Sequence, residues 1–284
     1  MNNATQSPLI SATELLRLKN DENLVLIDAR FSKTIQEEYK KEHLKGALHV
    51  DLNVQLSDIK EDAAEGGRHP LPSISQFAEL LTHLGISKLS HVVVYDASTS
   101  SMAAARFWWM LKSAGHKQVQ VLNGGLKEAI KVGYPTSSGE ETPKMVESYP
   151  VTDWQLPLKT IADVEKTAQL ENHVLIDVRA AERYRGETEP IDLIAGHIPG
   201  AINVPLTRNI DEDGFFLSPE VLKTKYEAVL ADTPISNVTV HCGSGVTACH
   251  TLLAMTHAGF ETPTLYVGSW SEWSRNDKPI ATHL

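Results

Sequence analysis

The sequence predicts an α/β protein built as two copies of one domain, each a mainly parallel sheet flanked by helices. Two observations carry this. Short apolar runs rich in Val, Ile and Leu alternate with longer amphipathic stretches, which is the pattern of βαβ units. In addition, four anchors recur in one order. Leu24 to Arg30 is answered by Val174 to Arg179, His43 to Ala47 by His197 to Ala201, Val92 to Tyr95 by Val238 to His241, and Val121 to Leu126 by Leu265 to Trp270. The spacing is 149 residues from Asp28 to Asp177, 154 from His43 to His197 and 144 from Val121 to Leu265. Anchors kept in order at similar spacing mark a duplication. A length of 284 residues with 42 % apolar and 22 % charged residues suits two such cores. The expected division is a first domain at 1–135, a linker at 136–157 punctuated by Pro143, Pro150 and Pro157, and a second domain at 158–284.

Taken in order, Ser11 with Glu14 three residues later is a capping box that opens a helix reaching Lys19. Leu24 to Ile27 is a buried strand that ends in Asp28 and Arg30, and Ile35 to Glu42 is a polar amphipathic stretch. Asp62 to Pro72, rich in Gly and Pro, is a loop. Ser75 to Leu84 is a helix stopped by Gly85, His91 to Asp96 a strand, Ala103 to Ala114 a helix stopped by Gly115, and Val119 to Leu122 a third strand. In the second copy, Asp177, Arg179 and His197 repeat Asp28, Arg30 and His43. Such repetition favours architectural roles for the strand-end carboxylate, its arginine and the turn histidine.

Charge and composition exclude several classes. A formal net charge of −10 with no Lys/Arg cluster argues against a nucleic-acid surface. No apolar run approaches the ~18 residues of a membrane span, and the opening M-N-N-A-T-Q-S-P lacks the pattern of a secretion signal, so a cytoplasmic, membrane-free setting is expected. The two cysteines, Cys242 and Cys249, form no disulfide framework and sit at no metal-ligand spacing, so no metal or other cofactor is expected. A two-domain monomer is the expected state.

The chemistry concentrates in Val238 to Met255. An apolar strand breaks at His241-Cys242-Gly243-Ser244-Gly245 and continues as a helix. A glycine-bearing loop at a helix start turns main-chain N–H groups inward as an anion cradle, and a cysteine at its rim is expected as a thiolate. Cys242 is therefore the candidate nucleophile, and Gly243, Gly245, Val246, Thr247 and Ala248 are candidate cradle residues; plain turn residues are the alternative for the glycines. Cys249, about two helical turns on, reads as a small core hydrophobe. Trp108 or Trp109 is expected in the first core, and Trp270 and Trp273 either line the site or pack between domains. Opposite Cys242 the first copy has Asp96-Ala97-Ser98-Thr99-Ser100-Ser101-Met102, without cysteine or glycine. Function is expected in the second copy, with the first supplying a wall of the cleft.

These residues carry a resemblance. R-Y-R-G-E-T-E-P at Arg183 to Pro190, G-H-I-P-G-A-I-N-V-P at Gly196 to Pro205, C-G-S-G-V-T-A-C at Cys242 to Cys249 and G-S-W-S-E-W at Gly268 to Trp273 resemble the rhodanese-like sulfurtransferases. So do R-F-W-W-M-L at Arg106 to Leu111 and V-L-N-G-G-L at Val121 to Leu126 in the first copy, so the resemblance spans nearly the whole chain. It implies tandem rhodanese-like domains and sulfur transfer from a small-molecule donor to a thiol, thioredoxin-like or cyanide acceptor. Within that family, C-G-S-G-V-T resembles the 3-mercaptopyruvate sulfurtransferases, whereas thiosulfate-using members tend to carry C-R-K-G-V-T. A thiosulfate sulfurtransferase is the alternative, and a non-catalytic sulfur carrier a third reading. A tyrosine-phosphatase loop would need arginine where Ala248 stands.

The resemblance further implies a substrate-carboxylate contact for Arg183. It also implies a partnership between Ser244 and a first-domain histidine, matched here by His43, which would orient the serine or act as a base. A helix cap for Ser244 and a structural role for His43 are the alternatives. The second arginine that mercaptopyruvate enzymes often carry just before G-H-I-P-G has no counterpart between Glu189 and Ala195.

Overall fold

In the computed structural model, which describes residues 6–32, 34–97 and 102–283, the apolar runs form two five-stranded parallel sheets. The first contains β1 (Leu9–Ile10), β2 (Leu24–Asp28), β4 (Ala47–His49), β5 (His91–Tyr95) and β6 (Val119–Leu122), in the order β1-β6-β5-β2-β4. The second contains β8 (Leu158–Lys159), β9 (Val174–Asp177), β10 (Ala201–Asn203), β11 (Val238–His241) and β12 (Thr264–Tyr266), in the order β8-β12-β11-β9-β10. Element for element the two orders are the same, so the duplication inferred from spacing is also a duplication of topology. The flanking strands of two or three residues are too short to be read as alternation, which is why only the central strands stood out in the sequence.

Helices α1 (Ala12–Leu18), α2 (Ile35–Lys41), α3 (Ile74–His83), α4 (Ala103–Ser113) and α5 (Gly125–Lys131) accompany the first sheet, and α6 (Ile161–Thr167), α7 (Ala181–Tyr184), α8 (Pro219–Leu230), α9 (Ala248–His257) and α10 (Ser269–Trp273) the second. The Ser11–Glu14 capping box forms as expected, and Gly85 and Gly115 stop α3 and the turn after α4 at φ 69 and 74. α4 and α9 occupy equivalent places, each following a central strand, and both are buried nearly all round. Trp108 and Trp109 are both fully buried on α4.

Repeated local devices hold each sheet end. Arg30 grips the buried Asp28 through Nε and Nη2, with Nη2 to Oδ2 at 2.7 Å, and Arg179 grips Asp177 in the same way at the same distance. His43 stacks on Tyr39 with its Nδ1 at 2.7 Å from the Tyr39 carbonyl, and His197 stacks on Tyr184 with its Nδ1 at 2.8 Å from the Tyr184 carbonyl. The architectural reading of Asp177, Arg179 and His197 thus has its counterpart in the first copy.

The chain divides into two compact units that do not follow chain order: Met1–Leu56 with Pro72–Gln155, and Ser57–Leu71 with Leu156–Leu284. Two expectations change. The segment read as a linker, 136–157, is largely bound to the first unit. Its β7 (Thr136–Ser137) pairs antiparallel with β3 (His43–Leu44), the buried Tyr149 bonds His116 through its hydroxyl at 2.9 Å, and the Gln155 N–H donates to the Ser113 carbonyl at 2.7 Å. By contrast, the loop read at Asp62 to Pro72 belongs almost wholly to the second unit. There Gly66 N–H donates to Glu272 (3.1 Å), Arg68 N–H to Ser271 Oγ (3.0 Å), and the Asn276 amide to the Ala64 carbonyl (2.8 Å). A side chain at Gly67 would collide with the Gly268 carbonyl oxygen, so only glycine lets the segment lie this close.

Of the polar loop opposite Cys242, Ser98, Thr99, Ser100 and Ser101 lie outside the described residues. Asp96, at the position equivalent to Cys242, accepts bonds from the N–H groups of Met102 and Ala104, both at 3.3 Å, so the first copy fills its helix start with its own carboxyl group. Burial pushes the Asp96 pKa up to about 7, against those two bonds. A raised folded-state pKa favours folding while the group is protonated, and that contribution disappears as pH rises through about 7. Between about pH 5 and pH 8 the wild-type protein is therefore expected to lose about 2–3 kcal/mol relative to Asp96→Asn, read by urea unfolding at both pH values. Parallel pH profiles for the two proteins would exclude it.

Candidate active site

The site is built in the second unit where β11 ends. His241, the last residue of β11, is fully buried and its Nε2 lies 3.8 Å from Asp177 Oδ2; burial pushes its pKa down, with Asp177 pulling the other way. Cys242 follows, only 1 % exposed. The loop then makes a turn that needs glycine. Gly245 has φ 73, and a Cβ there would collide with the Val267 carbonyl oxygen. α9 begins at Ala248 with Thr247 as N-cap and no side-chain cap bond, so Ser244 is not the cap of this helix. Val246 and Ala248 are buried, and Cys249 is a core residue whose Sγ donates to the Gly245 carbonyl at 3.4 Å.

α10 fixes the other side of the loop. The N–H groups of Trp270 and Ser271 donate to the carbonyls of Cys242 (3.0 Å) and Gly243 (2.8 Å). Because a trans peptide sets N–H and C=O on opposite sides, the N–H groups of Gly243 and Ser244 point away from α10. Ser269 makes this possible from a left-handed conformation, φ 54, with its Oγ receiving the Cys242 N–H at 3.1 Å and donating to the Tyr266 carbonyl at 2.9 Å. Trp270 and Trp273 do not line the site. They are buried in the second core, with indole N–H groups on the carbonyls of Ile194 and Pro279.

The histidine beside Ser244 is His69, not His43. His69 Nδ1 stands 2.8 Å from Ser244 Oγ. His43 is fully buried in the first unit, committed to Tyr39 through Nδ1 and facing Glu141 at 3.5 Å through Nε2. It performs there the structural task that His197 performs in the second unit. Sequence reasoning therefore missed His69, and a signal for it was present. The repeat spacing falls from 154 at the histidine motif to 144 at the last strand, which marks extra chain in the first copy between them, and that chain carries Gly67-Arg68-His69-Pro70.

Arginines and carboxylates surround Gly243. Arg183, at the end of α7, makes a bidentate pair with Glu189 (Nη2 to Oε1 2.6 Å) and reaches Asp192 Oδ2 at 3.3 Å. Asp192, whose side chain is fully buried, also receives Arg68 Nε at 3.0 Å and Arg275 Nη1 at 3.1 Å. A Cβ built on Gly243 would lie 3.1 Å from Arg68 Nη2 and 3.6 Å from both Arg183 Nη2 and Asp192 Oδ2. Arg68, from the same inserted loop, thus brings a second guanidinium beside Gly243. Glu189 joins this cluster to the Asp177–Arg179 pair through Arg179 Nη1 at 3.3 Å, and Arg183 holds the Glu189 carboxyl below the usual range although burial acts to raise it. Among the described residues no group of three or more His, Cys, Asp or Glu is placed to hold a metal ion, and no helix is long and apolar enough to cross a membrane.

A cysteine at the end of a parallel strand, cradled by a glycine loop and a buried helix, in one of two copies of a five-stranded α/β unit, defines a rhodanese-like protein. The chain belongs to that family: the rhodanese-like domain matches residues 11–131 and 160–276. It is 37 % identical over 284 residues to the "Probable 3-mercaptopyruvate sulfurtransferase" of Pseudomonas aeruginosa, covering 98 % of this chain and 99 % of that one. It is also 36 % identical over 248 residues to the thiosulfate sulfurtransferase of Rattus norvegicus, covering 86 % and 81 %. Its structure is similar to that of 3-mercaptopyruvate sulfurtransferase from Leishmania major, with TM-score 0.82, 29 % identity, and 95 % of this chain and 75 % of that chain covered.

Proposed function

We propose that this chain is a sulfurtransferase that moves sulfur from 3-mercaptopyruvate to a thiol, thioredoxin-like or cyanide acceptor through a persulfide on Cys242, releasing pyruvate. The observation that carries the reading is the Ser244–His69 pair, 2.8 Å apart and two residues from the buried cysteine, with the Arg183 guanidinium beside Gly243. The Cys242 thiolate attacks the donor sulfur, the carbon–sulfur bond breaks, and its electron pair goes to the enolate of pyruvate. That enolate needs a proton, and a serine hydroxyl backed by an imidazole is a means of delivering one. Arg183 and Arg68 take the donor carboxylate. An acceptor thiolate or cyanide then attacks the outer sulfur and restores the Cys242 thiolate, a two-displacement sequence with ping-pong kinetics.

The second reading, thiosulfate sulfurtransferase, is favoured by the rat relative and by Arg68 as a further cation at the loop. The two differ in one chemical need, because thiosulfate leaves as sulfite, with no enolate to protonate. The test is a pair of initial-rate series, mercaptopyruvate and thiosulfate with cyanide as common acceptor, on wild type and His69→Gln. The expected result is a mercaptopyruvate kcat/KM at least about tenfold above that for thiosulfate, and a kcat for mercaptopyruvate about 100-fold lower in His69→Gln with a much smaller change for thiosulfate. Thiosulfate preference in the wild type would hand the assignment to the second reading. Equal losses on both donors would remove His69 from the proton path.

A further inference from the structure

The geometry points to Asp192 as the residue that sets the charge of the preferred sulfur donor, excluding dianions in favour of monoanions; this rests on the mercaptopyruvate reading above. The loop from Cys242 to Ala248 contains no charged side chain, so the field at its rim comes from other elements. Arg68 and Arg183 supply two cations within 3.6 Å of a Cβ on Gly243, and the Asp192 carboxylate lies within the same 3.6 Å. Asp192 binds three arginines at once: Arg68 and Arg183, which face Gly243, and Arg275, which also donates to the Ser271 carbonyl at 2.8 Å. Glu189 pairs with Arg183 from the other side.

An anion approaching Gly243 therefore meets two guanidinium groups whose charge is already partly answered by fixed carboxylates. A donor with one carboxylate completes the balance. A dianion such as thiosulfate carries a second charge that has no cation left to it and that repels Asp192 at short range. The Asp192 side chain is fully buried and Cys242 is 1 % exposed, so repulsion from this carboxylate is screened less than at a surface. Asp192 is poised to discriminate by negative charge rather than by shape.

The test is the ratio of kcat/KM for thiosulfate to kcat/KM for mercaptopyruvate, measured on one preparation of each protein so that a loss of folded enzyme cancels. Asp192→Asn is expected to raise this ratio at least about tenfold, since the near-isosteric amide removes the charge and a dianion gains more than a monoanion. Arg275→Gln, which removes a cation from the far side of Asp192, is expected to lower it. Glu187→Gln, at an exposed pair with Arg185, leaves the ratio unchanged. Equal falls for both donors in Asp192→Asn, or ratios that move in the same direction in Asp192→Asn and Arg275→Gln, would overturn the inference while leaving the sulfurtransferase reading intact. A wild type that fails to use mercaptopyruvate would overturn that reading itself, and this inference with it.

Discussion

Cys242→Ser is expected to lower sulfur transfer from mercaptopyruvate by at least about 10⁴-fold, equivalent to about 5.5 kcal/mol of transition-state stabilisation. A serine hydroxyl has almost the same shape, so the fold should be unchanged, but it is a poor nucleophile toward sulfur and cannot carry the sulfane sulfur. Two measurements give the result its meaning. Wild type mixed with mercaptopyruvate and no acceptor should release close to one equivalent of pyruvate and gain the mass of one sulfur atom on the peptide containing Cys242. The Cys242→Ser protein should do neither. Cys249 serves as an internal control, because it is fully buried with its thiol on the Gly245 carbonyl. Sulfur found on Cys249, or turnover surviving in Cys242→Ser, would falsify the persulfide route.

Arg179→Met is expected to destabilise the protein by about 3–5 kcal/mol, because it leaves a buried carboxylate without its partner. Asp177 and Arg179 are both almost wholly buried, and Arg179 also donates to Glu189 and to the Gly196 carbonyl while lying 4.6 Å from the Trp270 ring centroid. Burial acts to raise the Asp177 pKa, but Arg179, with His241 in support, holds it below the usual carboxylate range. In the wild type this contribution is present above the unfolded-state pKa and is lost only as pH falls through the depressed folded value. Without the guanidinium the same carboxyl is raised, and the variant recovers relative stability as it protonates. The gap between the two proteins should thus be widest near neutral pH and narrow toward about pH 4, in urea titrations followed by tryptophan fluorescence. A gap that stays constant with pH would mean that lost packing on Trp270, not the unpaired charge, accounts for the cost.

Much of the fold is written in local pattern. The central strands announce themselves through the apolar runs Leu24 to Ile27, Val92 to Val94, Val174 to Ile176 and Val238 to Val240, and the order of repeated anchors reveals the duplication. The edge strands β1, β4, β8 and β10 are legible only through their neighbours, since two or three residues carry no period. The loop at Cys242 is equally local. A cysteine, two glycines and a helix start within seven residues mark the candidate nucleophile position because turn geometry and backbone donors are set by adjacent residues.

What tertiary structure alone decided is the company Cys242 keeps. Residues 57–71 leave the order of the chain to join the second unit, held by Glu272, Ser271 and Asn276, and so bring His69 to Ser244 and Arg68 to Gly243. The histidine chosen by motif, His43, stays with Tyr39 in the first unit. The repeat spacing marks this segment as extra chain but not where it packs, because the contacts that hold it lie about 200 positions away and are made with partners only the folded chain selects. The chain by itself determined two α/β units and one candidate reactive loop. Which imidazole and which arginines serve that loop was decided by long-range packing of a glycine-bearing segment against α10.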